Sequence, residues 1–363
     1  LPVRGGVVYA LAAAALFGAS TPFAKLLVGR VDPVLLAGLL YLGSGCGLLA
    51  WQRLVTRRDG NRPSEARLRR ADLPWLAGAV AFGGVIAPVL LMRGLTVTPA
   101  STASLLLNTE GVLTAVLAWF VFKENFDRRI ALGMAAITAG GVVLSWEDGA
   151  GAGLSIGALA VAGACLAWAI DNNLTRKVSA GDPVQIAAIK GLVAGTVNVA
   201  VALARGAEVS GVGTVAACGA VGLAGYGVSL TLFVLALRGL GTARTGAYFS
   251  VAPFVGAVIS MAVLGDRPTV TFFVAAVLMG IGVWLHLTEQ HTHEHDHEAM
   301  SHNHRHVHDE HHQHAHGPDD PPGEPHTHQH DHPPVRHSHP HFPDIHHRHE
   351  HQRAKTLAAR ATA

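Results

Sequence analysis

Residues 108–144 read "NTEGVLTAVLAWFVFKENFDRRIALGMAAITAGGVVL". Two apolar runs lie on either side of a short charged loop, and runs of this kind can cross a hydrocarbon layer of ~30 Å as helices. Similar runs recur along the chain without the polar face that a soluble helix needs. The sequence therefore predicts ten membrane-spanning helices. They cover roughly residues 7–28, 33–55, 73–95, 99–122, 130–145, 154–176, 183–203, 212–235, 243–263 and 270–287.

The end of the chain has a different composition. Half of the 363 residues are hydrophobic and 14% are charged, yet every one of the 24 histidines lies at or after His286. Residues 291–363 lack the apolar content that would offset the entropy of ordering, so they are predicted to be a disordered tail. The predicted fold class is an all-α membrane protein with ten transmembrane helices, followed by this His-rich tail.

Several classes of protein are not favoured. The net charge of +2 is not gathered on one face, so no nucleic-acid partner is expected. No nucleotide-binding loop, nucleophile elbow or catalytic metal motif is present, so the chain is not predicted to be an enzyme and requires no cofactor. Cys46, Cys165 and Cys218 lie far apart in apolar runs, which predicts buried, inert thiols.

The charges of the short loops predict the orientation of the helices. Residues 53–70 and 123–129 are rich in Arg and Lys, whereas the "EDGAGAG" loop at 147–153 has no positive charge. We therefore expect a multi-pass protein of the inner (plasma) membrane with its N-terminus in the cytoplasm. An even number of spans returns the chain to the same side, so the tail is predicted to be cytoplasmic.

The body contains an internal duplication. "GRVDPVLLAGL" at 29–39 is answered by "SAGDPVQIAAI" at 179–189, and "LMRGLTVTPASTASLL" at 91–106 by "ALRGLGTARTGAYFS" at 236–250. An odd number of spans in each copy makes the second copy enter the bilayer from the opposite side. The sequence thus predicts two inverted five-helix repeats, as in many secondary transporters.

Three stretches resemble the EamA-type branch of the drug/metabolite transporter superfamily. They are "LFGASTPFAK" at 16–25, the stretch at 108–144, and its copy "VAPFVGAVISMAVLGDRPTVTFFVAAVLMGIGVWL" at 251–285. The resemblance implies ten helices in inverted repeats and transport of a small solute by alternating access. It divides the chain into a first repeat at 1–145, a second at 146–290 and the tail at 291–363.

The chain departs from the family pattern at two places. Gly111 stands where a proline commonly follows the acid of the fourth helix. In the second copy, Ala252 stands where the acid would be, while Pro253 keeps the proline. The family moves chemically unrelated solutes, so the resemblance does not name the cargo.

Ionisable residues inside membrane helices usually face the protein interior or a water-filled route. Glu110, Asp171 and Lys190 are the deep candidates, and Asp171 and Lys190 lie at similar depths, about 9 and 12 Å above the inner ends of their helices by the helical rise. One reading makes Glu110 or Asp171 a proton or cation carrier whose affinity Lys190 sets. The other makes Asp171 and Lys190 a structural ion pair.

Neutral amides accompany these charges. Asn108, Asn172 and Asn198 complete the predicted substrate or ion pathway, although interhelical hydrogen bonding is their alternative role. Lys25 is less deep, and we expect it to snorkel to the outer surface.

The histidine content of the tail predicts metal binding, because neutral imidazole is a ligand for Ni, Zn, Co and Cu. Its many HxH spacings suit a chelating reservoir rather than a single site. A pH-responsive polycation is a second reading, since imidazoles of pKa ~6.5 gain charge together on mild acidification. The predicted metal ligands are His291, His293, His295, His297, His302, His304, His306, His308, His311, His312, His314, His316, His326, His328, His330 and His332.

Three functions follow from these patterns. The first is a secondary transporter, an exporter by preference, of a small organic metabolite or drug, with an accessory metal-binding tail. The second is an exporter of Ni, Co, Zn or Cu that the tail supplies. The third is a membrane-anchored metal buffer or sensor that transports nothing. The spans contain no deep histidine, which favours the first. The expected partners are this cargo and the lipid bilayer, and a homodimer is left open.

Overall fold

The chain was studied as a computed structural model, in which the described residues are 3–58, 70–122, 128–147, 153–178, 182–209, 211–240, 245 and 248–288. In the tail the described residues are 291–297, 300–306, 326–332 and 335–341. The predicted ligands His308, His311, His312, His314 and His316 lie outside these ranges, as does the start of the predicted span at 243.

The body is helical, and its helices are numbered α1 to α10. They are α1 Val3–Val28, α2 Pro33–Arg58, α3 Leu73–Val97, α4 in two pieces Ala100–Leu106 and Thr109–Phe122, α5 Arg128–Ser145, α6 Ile156–Val178, α7 Pro183–Ala204, α8 from Val212–Gly222 through Leu223–Val228 to Ser229–Leu240, α9 Ala252–Leu264 and α10 Val270–Leu287. A 3-10 turn, Arg70–Asp72, precedes α3.

Seven of these helices, α1 to α4 and α6 to α8, contain a stretch long and apolar enough to cross a membrane. The others contain shorter apolar stretches, Ala131–Ser145, Ala252–Leu264 and Val270–Leu285. The prediction of an all-helical, multi-pass membrane body is confirmed at this level. The boundaries of the helices agree with the predicted spans to within a few residues, with two exceptions: α4 is interrupted, and α9 begins at Ala252 rather than at the predicted 243.

The duplicated Asp-Pro-Val sequence begins a helix in both halves. Asp32 Oδ1 accepts hydrogen bonds from the backbone N–H groups of Val34 and Leu35, at 2.9 and 3.1 Å. Asp182 Oδ1 does the same for Val184 and Gln185, at 2.9 and 3.3 Å. The aspartate caps N–H groups that have no partner within the helix, and the proline that follows has no N–H to satisfy. The duplicated Asp-Pro-Val sequence therefore forms the N-terminal cap of α2 and of α7.

Two irregular segments also occur in both halves. A π-helical turn spans Val80–Ile86 within α3, and another spans Leu223–Val228 within α8. The helix α4 breaks at Leu107 and Asn108, and the corresponding turn at 250–251 precedes α9. π-helical turns often occur at functional sites, and interrupted helices form binding sites in many transporters.

The packing of the helices follows the duplication. The pairs α2–α7, α4–α9 and α5–α10 each join matching helices of the two halves. The helix α1 packs on α8 and α9, and α6 packs in the same way on α3 and α4. Glycines allow close approach in the α2–α7 pair, since a Cβ at Gly191 would lie 2.7 Å from the backbone N of Gly45.

The structure includes strands as well. The short strands β1 (Trp146–Glu147) and β2 (Gly153–Leu154) pair beside the α5–α6 connection. In the tail, β3 (His291–His297) pairs antiparallel with β6 (Val335–His341), and β4 (Met300–His306) pairs antiparallel with β5 (His326–His332). The prediction of a disordered tail is not confirmed by these four strands. Alternation of His with other residues has the period of two that a strand requires.

Candidate functional site

An ion pair lies between α6 and α7. Lys190 Nζ is 2.6 and 2.7 Å from the two carboxylate oxygens of Asp171. Thr175, one helical turn after Asp171, donates a hydrogen bond of 2.8 Å to Asp171 Oδ1, and Lys190 Nζ donates one of 3.3 Å to the Thr175 hydroxyl. The side chains of Asp171 and Lys190 are only 8% and 12% exposed. The predicted contact between them therefore forms, and each charge is compensated.

The ion pair lies against the π-helical turn of α3. A Cβ at Gly83 would overlap Asp171 Oδ2, so a glycine is needed for this approach. The Gly83 carbonyl accepts hydrogen bonds from Tyr41 Oη at 2.7 Å and Trp168 Nε1 at 3.0 Å. Asn198 Nδ2 donates to the neighbouring Gly84 carbonyl at 3.1 Å. Side chains from α2, α6 and α7 thus fix the turn that supports Asp171.

Glu110 lies in the first turn of the second piece of α4, directly after the break. Asn172 Nδ2 donates to Glu110 Oε1 at 2.8 Å and to Thr114 Oγ1 at 3.3 Å. Within the described part of the chain, no basic side chain forms a salt bridge with Glu110. Among the three deep ionisable residues, Glu110 is therefore the one that has no salt-bridge partner among the described residues.

The side chains around this carboxylate are less buried than others on the same face of α6. By the rotation of about 100° per residue, Asn172 shares a face of α6 with Cys165 and Trp168. Both of these are buried, whereas Asn172 is exposed. Glu110 and Thr114 are half-buried, so the interior face opens at this level. We call Glu110, Thr114 and Asn172 the polar opening; it lies toward the ends at which α4 and α6 terminate.

The first piece of α4 forms the closed side of this opening. Ser101, Ser104 and Asn108 are all buried. The hydroxyl of Ser104 is buried without a hydrogen-bond partner among the described residues. The residues on this side of Glu110 are thus more buried than Thr114 and Asn172 on the other side.

An aromatic cluster lies beside the π-helical turns. The ring of Phe17 is 6.5 Å from Trp168, 6.0 Å from Tyr226 and 5.3 Å from Phe249, between centroids. The Tyr41 and Tyr226 rings are 5.4 Å apart. The edge-to-face geometry of the Phe17 contacts with Trp168 and Tyr226 is a favourable one. The cluster joins α1, α2, α6 and α8 with the turn before α9, and it gives the centre apolar walls.

The other predicted residues have different outcomes. Asn108 is buried and donates to the Leu105 carbonyl at 3.1 Å, so it caps the break in α4 and does not line the polar opening. Asn198 supports the π-helical turn. Lys25 is half-buried and its ammonium donates to the carbonyls of Leu95 and Thr98 at the end of α3, and its snorkelling to the outer surface stays a prediction. Cys46 is exposed rather than buried, whereas Cys165 and Cys218 are buried as predicted.

Four residues that the sequence did not indicate complete the site. Thr114 and Thr175 each lie one turn after a deep acid, and this i to i+4 spacing could have identified them as neighbours of Glu110 and Asp171. Tyr41 and Gly83 gave no signal, because a π-helical turn cannot be recognised from composition. Among the described residues, no group of three or more His, Cys, Asp or Glu is arranged to hold a metal ion.

Comparison with known proteins places these features in a family. The profile of the EamA-like transporter family matches residues 4–146 and 155–288. An uncharacterized transporter of Methanothermobacter thermautotrophicus (strain Delta H) is 26% identical over 292 residues, covering 77% of this chain and 85% of that protein. A protein of known crystal structure has the same fold, with a TM-score of 0.58 and 19% identity over 77% of this chain and 94% of its own.

Proposed function

Because this chain belongs to the EamA-like transporter family, we propose that it is an inner-membrane secondary transporter that exports a small organic metabolite or drug. The observation that carries the proposal is Glu110, a partly exposed carboxylate at a helix break that has no salt-bridge partner among the described residues. An intramembrane acid in such a position marks a substrate or ion pathway.

The transport cycle we propose uses ten spans in two inverted repeats. The two profile matches, the shared Asp-Pro-Val caps and the paired irregular segments support this arrangement. We take residues 1–145 and 146–290 as the two repeats and place both chain termini in the cytoplasm. Rocking of one repeat against the other would then expose the centre alternately to the two sides.

The three deep ionisable residues have different roles in this proposal. Glu110 binds the cargo or a coupling cation, because no described basic side chain forms a salt bridge with it. Asn172 holds the carboxylate in place through its 2.8 Å hydrogen bond. Asp171 and Lys190 neutralise each other, so we assign them to maintaining the π-helical turn of α3 rather than to carrying an ion.

We propose that the tail binds Ni, Zn, Co or Cu on the cytoplasmic side as an accessory function. Export of these metals through the body is less well supported. Transition metals prefer several imidazole, thiolate or carboxylate ligands together, whereas the polar opening offers one carboxylate beside an amide and a hydroxyl.

The test compares Glu110→Gln with Glu208→Gln, the same chemical change at an exposed residue between α7 and α8. Cells that express the wild-type protein are compared with cells that lack it, by profiling small metabolites and metals inside and outside the cells. We expect the solutes exported by the wild type to be retained with Glu110→Gln and exported with Glu208→Gln. Export that is equal in the two variants would refute the role of Glu110. A change in metals alone would favour the metal exporter.

A further inference from the structure

The end of the body that is opposite the tail is closed by polar contacts. At this end α1 and α3 terminate, and α4 begins. Lys25, near the end of α1, donates hydrogen bonds to the carbonyls of Leu95 and Thr98, the latter at 3.0 Å. The last carbonyls of a helix have no partner within it. The half-buried ammonium therefore satisfies the end of α3 and ties it to α1.

A second contact adds the α9–α10 connection to the same place. Gly265 ends α9 in a left-handed conformation with φ of 69°, which turns the chain at Asp266. Asp266 Oδ2 accepts a 2.9 Å hydrogen bond from the backbone N–H of Ser101, in the first turn of α4. The charge of Asp266 also acts on Lys25. Helices from both halves thus meet at the turn between α3 and α4.

These contacts can be exchanged for water. Each joins a flexible side chain to a backbone group at a helix end, so that separation exposes groups which solvent can satisfy. Directly behind them lies the buried first piece of α4, with Ser101 and Ser104. Glu110 follows after the break. Separation of α1 and the α9–α10 connection from the α3–α4 turn would therefore open a route toward Glu110 from the closed end.

We propose that Lys25 and Asp266 form the gate that closes the centre of the body at the end opposite the tail. This inference rests on the proposed alternating access, which requires a closure that can be released. Removing a hydrogen bond to a charged group would shift the balance between closed and open forms by roughly tenfold. Loss of Lys25 would thus leave the polar opening accessible from both ends.

The test measures access to a cysteine introduced by Thr114→Cys in the polar opening, in a background with Cys46→Ser because Cys46 is exposed. A membrane-impermeant maleimide is added to sealed vesicles of either orientation, and cleavage of the tail by added protease identifies the orientation. The comparison covers Lys25→Met, Asp266→Ala, the conservative Lys25→Arg and the control Arg93→Ala, an exposed residue of α3.

With Lys25 and Asp266 intact, we expect labelling mainly from the tail side. With Lys25→Met or Asp266→Ala, labelling from the opposite side should rise roughly tenfold, while Lys25→Arg and Arg93→Ala keep the original preference. An unchanged preference in Lys25→Met protein that elutes as a single species in detergent would overturn the gate, as would an equal rise with Arg93→Ala. The labelling needs no cargo, so failure of the gate is distinguishable from failure of the proposed transport.

Discussion

The two halves of the membrane body have the same irregular segments but different charges. In the π-helical turn of α3, Gly83 packs against Asp171, which Lys190 neutralises. In the turn of α8, Gly225 packs against Ser20 in the corresponding way, and a Cβ there would overlap the Ser20 side chain. Counting from the duplicated Asp-Pro-Val, Leu40 stands where Lys190 stands in the other half.

The helix break in α4 and the turn before α9 also differ in charge. The break in α4 is followed by Glu110, and the turn before α9 is followed by Ala252 and Pro253. The turns and breaks thus occur in both halves. The deep ionisable side chains, by contrast, lie beside the π-helical turn of α3, as Asp171 and Lys190 do, or directly after the break in α4, as Glu110 does. The duplicated scaffold supplies bends in both halves, whereas the ionisable side chains come from both halves and gather near the π-helical turn of α3 and the break in α4.

The strongest test of this comparison removes the two charges beside the π-helical turn of α3. Asp171→Asn and Lys190→Met should each lower the free energy of unfolding by about 3–5 kcal/mol, because each leaves one buried charge without its partner. The double variant should be destabilised less than the sum of the two. Thermal unfolding of the purified proteins in detergent measures these differences.

Thr21→Val provides an uncharged control, since Thr21 is buried on α1 and lies 150 residues before Asp171, the offset of the duplicated Asp-Pro-Val. It should cost far less than either charge substitution. Strictly additive effects of Asp171→Asn and Lys190→Met would show that the two residues are not coupled. The assignment of a structural role to the pair would then be wrong.

A smaller effect tests what the halves have in common. Asp32→Ala and Asp182→Ala each remove the side chain that accepts two N–H groups at the start of a helix. Loss of such a cap costs about 1 kcal/mol. We therefore expect similar decreases in melting temperature for the two variants. A large difference between them would mean that the duplicated sequence has different roles in α2 and α7.

Much of the scaffold could be predicted from the sequence, because hydrophobic length is a local property. The boundaries of α2 and α7 follow from their apolar runs and the preceding Asp-Pro. The pairing of Asp171 with Lys190 followed from equal depth on consecutive helices. The hydrogen bond between Asn172 and Glu110 could not be predicted in this way. It joins α6 to α4, and no single segment of sequence determines which helices are neighbours around the centre.

The π-helical turns were also beyond sequence reasoning. In the turn of α3, the excess residue is tolerated because Tyr41, Trp168 and Asn198, which are distant in sequence, satisfy the carbonyls of Gly83 and Gly84. Lys25 shows the same limitation. Its ammonium donates to carbonyls at the end of α3, a contact between helices that the sequence around Lys25 does not indicate.

The smallest effect on transport is expected from the tail. Deletion of residues 291–363 removes no part of α1 to α10, so the truncated protein should export its cargo at the wild-type rate in medium without added Ni or Zn. The full-length protein should bind several equivalents of either metal near neutral pH and lose them on mild acidification, since protons compete for the imidazole nitrogens.

Titration calorimetry of the full-length and truncated proteins in detergent measures this difference. Replacing only the tail histidines by asparagine in the full-length chain separates the imidazoles from the mere length of the tail. Equal metal binding by the truncated protein would move the metal site into the body. Impaired export by the truncated protein in metal-free medium would mean that the tail takes part in the transport cycle.

The strands β3 to β6 pair residues of the two His-rich segments, for example His293 with His339 and His304 with His328. If this pairing brings imidazoles together, the asparagine variant should lose metal binding completely while its export remains that of the wild type.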